Sequence, residues 1–261
     1  MGIDRRDFLL TGGGLAAGLA AGDLASPRPA SAQAQPAVEW QREADVVVIG
    51  SGAVGLPASI VAREAGCSVI VVEAQQHVGG HAICSGGNVP LGGGTSVQKK
   101  WGVSDSPDLV FQDLTDWSIV EPNGFPDYRY NDREIIRAFA DNCAATCEFL
   151  IQHGVVFVDK APDNQGGDSV GNSLRRTMHA AVMNWPTVQT GKPMDPAVQA
   201  TTSSGNGLMH PLDAAARKAG VEILLGHRMT AIHRQAPGAG PVLGIRVDNA
   251  GTLFACGTIS A

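Results

Sequence analysis

The feature that most constrains this chain is a glycine-rich turn between a short apolar run and a helix-like segment. Residues 45–49 are rich in β-branched side chains, which is typical of a buried parallel strand. The next six residues, Gly50-Ser51-Gly52-Ala53-Val54-Gly55, have the spacing G-x-G-x-x-G. In such a turn the first glycine permits the bend, the second admits a pyrophosphate, and the third lets helix pack on strand. The sequence therefore predicts a dinucleotide-binding turn.

The residues after the turn support this interpretation. A helix starting there would point its free N–H groups and its positive dipole end at the phosphates. Pro57 falls in its first turn, where a missing N–H costs little, and Gly66 ends it. A second β-branched run, residues 68–72, leads to Glu73, whose carboxylate would hold a ribose hydroxyl. A glycine turn without a ligand is therefore the less favoured alternative.

The next segment bears on which dinucleotide is bound. A nicotinamide-binding domain would normally continue with further strand–helix units. Here Gly79-Gly80-His81, Ser85-Gly86-Gly87 and Gly92-Gly93-Gly94 follow instead, within a chain of 261 residues that holds 33 glycines. A loop so poor in side chains can lie along a flat, extended ligand, which favours FAD over NAD.

Residues 73–87, EAQQHVGGHAICSGG, resemble the acidic, double-glycine and Ser-Gly-Gly signature of one flavoprotein group. This group contains the fumarate reductases, succinate dehydrogenases and 3-ketosteroid dehydrogenases. The resemblance implies FAD, and an α/β fold: a Rossmann-like, glutathione-reductase-type FAD-binding domain with a parallel sheet and a β-meander, into which an α+β cap domain is inserted. The FAD contacts that it implies are Gly50, Ser51, Gly52, Ala53, Val54, Gly55, Glu73, Ala74, Gly79, Gly80, His81, Ser85, Gly86, Gly87, Thr230 and Ala231.

The clearest helix of the middle segment spans residues 131–153, with Asn131 and Glu134 as a capping pair and Gly154 at its end. A short strand is expected at residues 154–157. The apolar stripe predicted to be buried consists of Ile135, Ile136, Phe139, Cys143, Cys147 and Leu150.

Residues 159–206 show no sustained periodicity and are interpreted as long loops of the cap. Arg175, Arg176 and His179 either face an anionic substrate or lie on a solvated surface, and the surface is favoured. Farther on, Pro211 is expected to open a helix that Gly220 ends. Strands at 221–225 and 229–234 and a β-meander with turns at 237–238 and 249–251 follow.

The first residues are typical of an export signal. Arg5-Arg6 precedes a Gly- and Ala-rich apolar run, and Ala30-Ser31-Ala32 offers a cleavage site, as in twin-arginine signals. The alternative is a membrane anchor, but the run at residues 8–22 is shorter than the roughly 20 residues that a spanning helix needs. The sequence therefore predicts recognition by the twin-arginine export machinery and a periplasmic or otherwise exported protein.

The expected organisation has five parts. They are a signal peptide (1–32), a linker (33–42), the first part of the FAD-binding domain (43–125), a partial cap or substrate domain (126–205) and an incomplete second part of the FAD-binding domain (206–261). The resemblance spans about the first half of a family member. The sequence therefore points to no catalytic residue, and these residues alone are expected to be inactive.

Composition excludes some function classes. A net charge of −6 without a basic block argues against nucleic-acid binding. The five cysteines form no C-x-x-C, so neither a zinc ribbon nor a haem attachment site is encoded, and no metal site is expected. An odd cysteine count leaves open a free reactive thiol, but core packing is favoured for Cys143 and Cys147.

The leading functional hypothesis is an FAD-dependent oxidoreductase. The resemblance implies hydride transfer between flavin and an activated C–C or C=C bond of a small dicarboxylate-like or steroid-like substrate. Because no haem motif is present, electrons would pass to or from a separate carrier or a quinone. The alternatives are a non-catalytic or truncated flavin-binding module and an NAD(P)-binding dehydrogenase.

Overall fold

The computed structural model describes residues 38–115, 132–164, 173–182, 198, 201–236, 238–249 and 252–256, which fall within one compact unit, Val38–Ala261. The export signal predicted for residues 1–32 lies outside the described residues, as do parts of the linker and of the predicted cap. Within the described ranges, no helix combines the length and the apolar character needed to cross a membrane.

The described residues form β-strands, α-helices and a short 3₁₀ turn. In chain order they are β1 (Val46–Ile49), α1 (Gly55–Glu64), β2 (Val69–Val72), a 3₁₀ turn (Ala82–Cys84), β3 (Asn88–Pro90), α2 (Ser96–Lys100), α3 (Pro107–Thr115), α4 (Arg133–Gln152), β4 (Thr177–His179), α5 (Asn206–Lys218), β5 (Glu222–Leu224), β6 (His227–Ala236), β7 (Ala239–Asn249) and β8 (Thr252–Cys256).

A parallel sheet of order β1-β2-β5 supports the glycine turn. Val46 pairs with Val69 on one side of β2, and Glu222 pairs with Ile70 on the other. The predicted parallel pairing is confirmed, but the predicted burial of β1 is wrong, since Ile49 is 50% exposed. The reason is that β1 lies at the edge of the described sheet, whereas β2 lies at its centre and is buried throughout.

Two hydrophobic cores lie on opposite faces of this sheet. Val69 and Val71 belong to the larger core, which also contains residues of α1, α4 and α5. Ile70 and Val72 belong to the smaller core, together with Ile245 of β7. Because successive side chains of a strand point to opposite faces, the apolar run of β2 contributes to both cores.

The antiparallel meander predicted near the end of the described chain is confirmed. Strands β6, β7 and β8 are neighbours in that order, and Ile232 pairs with Ile245. Positions 237, 250 and 251 of the two predicted turns lie outside the described residues.

Helix α4 begins one residue later than the capping prediction implies. Asp132, not Asn131, is the N-cap, because its carboxylate accepts hydrogen bonds from the amides of Glu134 and Ile135 at 3.0 and 3.1 Å. The predicted end is confirmed: Gly154 has φ 91 and donates to the carbonyl of Ile151.

The stripe predicted to be buried on α4 is confirmed only in part. Its fully buried positions are Ala140, Cys143, Cys147 and Leu150. Ile135 and Phe139, predicted as buried, are 66% and 44% exposed. Cys143, Cys147 and Leu150 are buried as predicted, whereas in the first half of the helix the buried side includes Ala140 instead of Phe139.

Two further element predictions are wrong. The strand expected at 154–157 is limited to a single bridge between Phe157 and Ala180. Pro211 does not open α5 but lies inside it. The helix starts earlier, with the Met209 amide donating to the carbonyl of the N-cap residue Gly205 at 2.9 Å, and the buried Pro211 costs α5 one internal hydrogen bond.

Candidate functional site

The first and third glycines of the turn have structural reasons to be glycine. Gly50 has φ +90, a conformation that other residues rarely adopt, and its amide donates to the carbonyl of Val72 at 2.8 Å. A Cβ on Gly55 would lie 1.9 Å from the carbonyl oxygen of Gly50 and 3.3 Å from Val48. The turn is therefore closed on the side that faces the sheet.

The opposite side of the turn is open. A Cβ on Gly52 would meet no protein atom within 4 Å, and Val54 is 83% exposed. The first helical hydrogen bond runs from Leu56 to the carbonyl of Gly52 at 3.1 Å. The amides just before Leu56 belong to the turn that an α-helix leaves without internal acceptors. The open face thus presents donors and a positive dipole end, which fits a pyrophosphate.

Glu73 is buried beside this turn and holds it in place. One carboxylate oxygen accepts the amide and the hydroxyl of Ser51 at 2.9 and 2.7 Å, and the other accepts the amide of Gln75 at 2.8 Å. Burial raises the pKa of Glu73, but these hydrogen bonds together lower it by more, so its net pKa lies below the usual value. Glu73 is therefore a carboxylate that orients Ser51, and its bond to a ribose stays a prediction.

The double glycine lies against the same turn. The amide of Gly79 donates to the carbonyl of Ser51 at 3.0 Å, and a Cβ on Gly80 would lie 3.6 Å from the Cα of Gly52. Both glycines have positive φ, and His81 next to them is exposed. The structure thus brings two segments that the sequence singled out separately into one open surface of backbone.

The Ser-Gly-Gly segment is held by residues that the sequence did not single out. The backbone carbonyl of Ser85 accepts a hydrogen bond from the amide of Gly205 at 2.8 Å, and a Cβ on Gly87 would lie 2.6 Å from the backbone of Ser204. Gly86 is exposed and has no atom within 4 Å of a Cβ position. The run of small residues before α5 was the signal that could have identified this contact.

Thr230 and Ala231, the last two of the implied FAD contacts, lie farther along the meander in β6. The start of β6 is joined to Glu73, because the amide of His227 donates to the Glu73 carbonyl at 2.7 Å. Thr230 and Ala231 follow at about 10 Å or more along the strand. Thr230 is exposed and donates to the carbonyl of Arg246 at 3.4 Å. Among the hydrogen bonds of the described residues, none joins Thr230 or Ala231 to the glycine turn.

The third glycine cluster has a different purpose from the one expected. A Cβ on Gly92 would lie 2.5 Å from both Arg176 and Asp105, so this loop wraps around a buried ion pair rather than facing an open surface. The prediction of a solvated position is therefore wrong for Arg176, whose charge is taken up by Asp105 and Asp113. Arg175 is exposed, as expected.

The surface prediction is also wrong for His179. Its ring is buried, and Nε2 lies 2.8 Å from a carboxylate oxygen of Asp163. Both corrections have one cause: strand β4, which contains His179 and directly follows Arg176, lies within the fold, paired with β3.

The predicted core packing of the α4 cysteines is confirmed. Cys143 and Cys147 are buried, and the Cys147 sulfur lies 3.7 Å from that of Met178. Burial raises the pKa of Cys147 to about 12, so this side chain remains a thiol. Cys84 is an exposed free thiol. Over the described ranges, no group of three or more His, Cys, Asp or Glu side chains is arranged to hold a metal ion.

Comparison with known proteins shows which family the chain matches. A family model for an FAD binding domain matches residues 45–261. The 3-oxosteroid 1-dehydrogenase of Mycobacterium tuberculosis is 34% identical over 142 residues, which are 51% of this chain and 23% of that protein. The fumarate reductase (cytochrome) of Shewanella frigidimarina is 29% identical over 138 residues, 53% of this chain and 22% of that protein.

A solved structure shows the same fold. The 3-ketosteroid-Δ4-(5α)-dehydrogenase of Rhodococcus jostii, in complex with 4-androstene-3,17-dione, superposes with a TM-score of 0.65 at 26% identity. The match covers 87% of this chain and 46% of that one. The match thus spans less than half the length of this relative, and the matched segments span about a quarter of the two enzymes above.

Proposed function

We infer the function of this chain from the family to which it belongs, the FAD binding domain family. Its cofactor is FAD, and the described residues fit this group. Gly52 leaves the open space that a pyrophosphate needs, and Gly80 and Gly86 continue the exposed backbone beyond it. A bound flavin supplies hydride and electron transfer, whereas the protein supplies binding and orientation.

The observation that carries this proposal is the juxtaposition of Gly52 and Gly80. Two glycine segments from different parts of the sequence meet on one open face beside the N-terminus of α1, and Glu73 fixes the turn from behind through Ser51. An extended ligand with a phosphate group and flat rings requires this combination of an anion-binding helix end and a surface without side chains.

We propose that the reaction is hydride transfer between flavin and an activated C–C or C=C bond. Support comes from the similarity to a 3-oxosteroid dehydrogenase and a fumarate reductase, whose substrates are of these two kinds. The proposed substrate class is a steroid-like ketone or a dicarboxylate. A separate electron carrier or a quinone is the proposed partner, since the name of the Shewanella relative includes a cytochrome.

Two further parts of the proposal rest on sequence. Residues 1–32, with Arg5 and Arg6, are proposed to direct the protein through the twin-arginine export machinery to the periplasm. Residues 126–205 are proposed to belong to a cap over the flavin.

Flavin absorbance tests the cofactor role. The purified chain, incubated with FAD and freed of excess by gel filtration, should retain the absorbance bands of oxidised flavin in stoichiometric amount. A chain that retains no flavin would contradict the proposal. NAD in place of FAD is the matched comparison and should not be retained.

Turnover assays then test the reaction. The flavin-loaded chain is assayed with reduced viologen and fumarate, and with a steroid ketone and a dye acceptor. Turnover in one assay supports an oxidoreductase of that substrate class. Stoichiometric flavin without turnover in either assay favours the second candidate, a flavin-binding module without activity of its own.

A further inference from the structure

A buried cluster of one arginine and two aspartates lies at the end of the β3–β4 pair that is farther from the Ser-Gly-Gly segment. Arg176 directly precedes β4, Asp105 lies between α2 and α3, and Asp113 belongs to α3. The Arg176 guanidinium donates to both oxygens of Asp105, from Nε at 2.8 Å and from Nη2 at 3.0 Å. Its Nη1 donates to Asp113 at 2.5 Å. The three side chains are at most 10% exposed.

Asp105 extends this cluster to the far end of β3. One of its oxygens accepts the amides of Gly93, at 2.9 Å, and of the Gln98 side chain, also at 2.9 Å. The other side-chain atom of Gln98, its oxygen, accepts the amide of Gly94 at 3.0 Å. The backbone just after β3 is thus held by the same carboxylate that holds Arg176. Burial raises the pKa of Asp105, but the bonds from Arg176, Gln98 and Gly93 bring it down to about 2, so the carboxylate is ionised.

The β3–β4 pair connects this cluster to the segment predicted to contact flavin. Pro90 pairs with Thr177 and Asn88 with His179, and the carbonyl of Gly87 accepts the amide of Ala180 at 2.8 Å. Since Arg176 precedes Thr177, the guanidinium anchors one end of β4. The other end of the same short ladder sets the place of Gly87.

A buried ion cluster is weak evidence for a purely stabilising role. Apolar side chains of similar volume often replace a buried ion pair without loss of stability, because the charges must first be removed from water. A planar guanidinium with two fixed carboxylates gives directional bonds that apolar packing does not give.

We propose that Arg176, Asp105 and Asp113 form a positioning cluster that sets the backbone of Ser85-Gly86-Gly87 for flavin through the β3–β4 ladder. This inference rests on the proposed function, and it assigns to all three the role of positioning residues, since they act through the ladder. The Gly92 and Gly93 backbone is part of the same arrangement, because a side chain at Gly92 would collide with Arg176.

Two conservative variants test the proposal. Asp113 accepts hydrogen bonds from the amide and the hydroxyl of Ser173 at 2.9 and 2.8 Å. Asp113→Asn keeps an oxygen that can accept these bonds, but it removes one of the two negative charges that face Arg176. Arg176→Lys keeps the charge and removes the planar fork. The matched control is Asp108→Asn. Asp108 lies in the same helix as Asp113, and its substitution removes an exposed ion pair with Arg137 of α4. The FAD dissociation constant is measured by flavin fluorescence, and the visible circular dichroism of bound flavin is recorded at saturation.

We expect both cluster variants to raise the FAD dissociation constant about fivefold and to change the visible circular dichroism, while Asp108→Asn does neither. Thermal unfolding of the FAD-free forms shows whether each is folded at the assay temperature. If both cluster variants fold and bind FAD like wild type, with the same flavin signal, the proposal is overturned. It is also overturned if both are unfolded, since the cluster is then a stability element. If the wild-type chain itself retains no FAD, the proposed function fails, and this inference fails with it.

Discussion

The three glycines of the turn differ in what a side chain would meet. Gly50 needs its positive φ, Gly55 has no room because of the Gly50 carbonyl, and Gly52 faces open space. The requirement for glycine at Gly52 therefore comes from a ligand, whereas at Gly55 it comes from the protein itself. Substitutions at Gly52 and Gly55 should therefore distinguish loss of cofactor binding from loss of folding stability.

Gly52→Val should abolish FAD retention and leave the folding free energy close to that of wild type. The added side chain occupies the space of the pyrophosphate, and its Cβ meets no protein atom within 4 Å. Gly55→Ala is the matched comparison and should lower the free energy of unfolding by about 1–3 kcal/mol, because its Cβ overlaps backbone. Flavin absorbance and urea unfolding measure the two effects. Stoichiometric flavin in Gly52→Val would show that the turn does not hold FAD.

At the scale of elements, helix ends and helix faces are decided by local contacts. Helix α4 starts where the Asp132 side chain reaches two free amides, although Asn131 has equivalent chemistry one residue earlier. Helix α5 extends through Pro211 because it starts earlier, with Gly205 as its N-cap. Each boundary thus follows from a contact that sequence spacing alone leaves ambiguous.

Asp132→Ala should lower the free energy of unfolding by about 1 kcal/mol through loss of the cap of α4. Asn131→Ala, the neighbouring position, is the control and should have little effect. Urea unfolding of both variants measures the difference. A larger loss in Asn131→Ala than in Asp132→Ala would show that the cap is assigned to the wrong residue.

At the scale of the whole molecule, buried carboxylates couple folding to pH. The pKa of Asp105 falls from 3.8 to about 2 in the fold, and that of Glu73 is also lowered. A group whose pKa is depressed on folding adds stability that is fully present above its unfolded pKa and is lost as the pH falls through its folded pKa. The chain should therefore lose stability between about pH 4 and pH 2.

Asp105 should contribute on the order of 2 kcal/mol to this loss, and Asp105→Asn should remove that part of the pH dependence. The variant is expected to be less stable at neutral pH and to have a shallower decline in acid. Urea unfolding over the acid range measures both slopes. Equal slopes for wild type and variant would contradict the assignment.

If the proposed signal directs export, replacement of both Arg5 and Arg6 by lysine should keep the protein in the cytoplasm, because the twin-arginine machinery recognises an arginine pair. Arg28→Lys, elsewhere in the same proposed signal, is the matched control and should leave export unchanged. Cell fractionation followed by immunoblotting measures the distribution. Normal periplasmic accumulation of the double variant would count against the export proposal.

Much of the fold could be predicted because its signals are local. The run before Gly50, the glycine spacing and the run before Glu73 predict the strand, turn, helix and strand in order, and the structure contains them. The turn residues at 237–238 and 249–251 predict the meander. Local spacing does not predict, however, which side of a helix the neighbouring elements cover. Ile135 and Phe139 are apolar at helical spacing, yet their exposure depends on which side of α4 the neighbouring elements cover.

The sequence by itself determined the ligand class, because glycine at fixed spacing before a helix has few other physical uses. Only the tertiary structure decided which glycines face the ligand and which face protein. Gly52 and Gly80 meet on an open surface, whereas Gly92 encloses the Arg176–Asp105 pair. It also decided that Arg176 is buried, since its two partners come from separate segments of the chain. The physical reason is that steric room and charge pairing depend on distances between residues far apart in sequence, which neither composition nor periodicity contains.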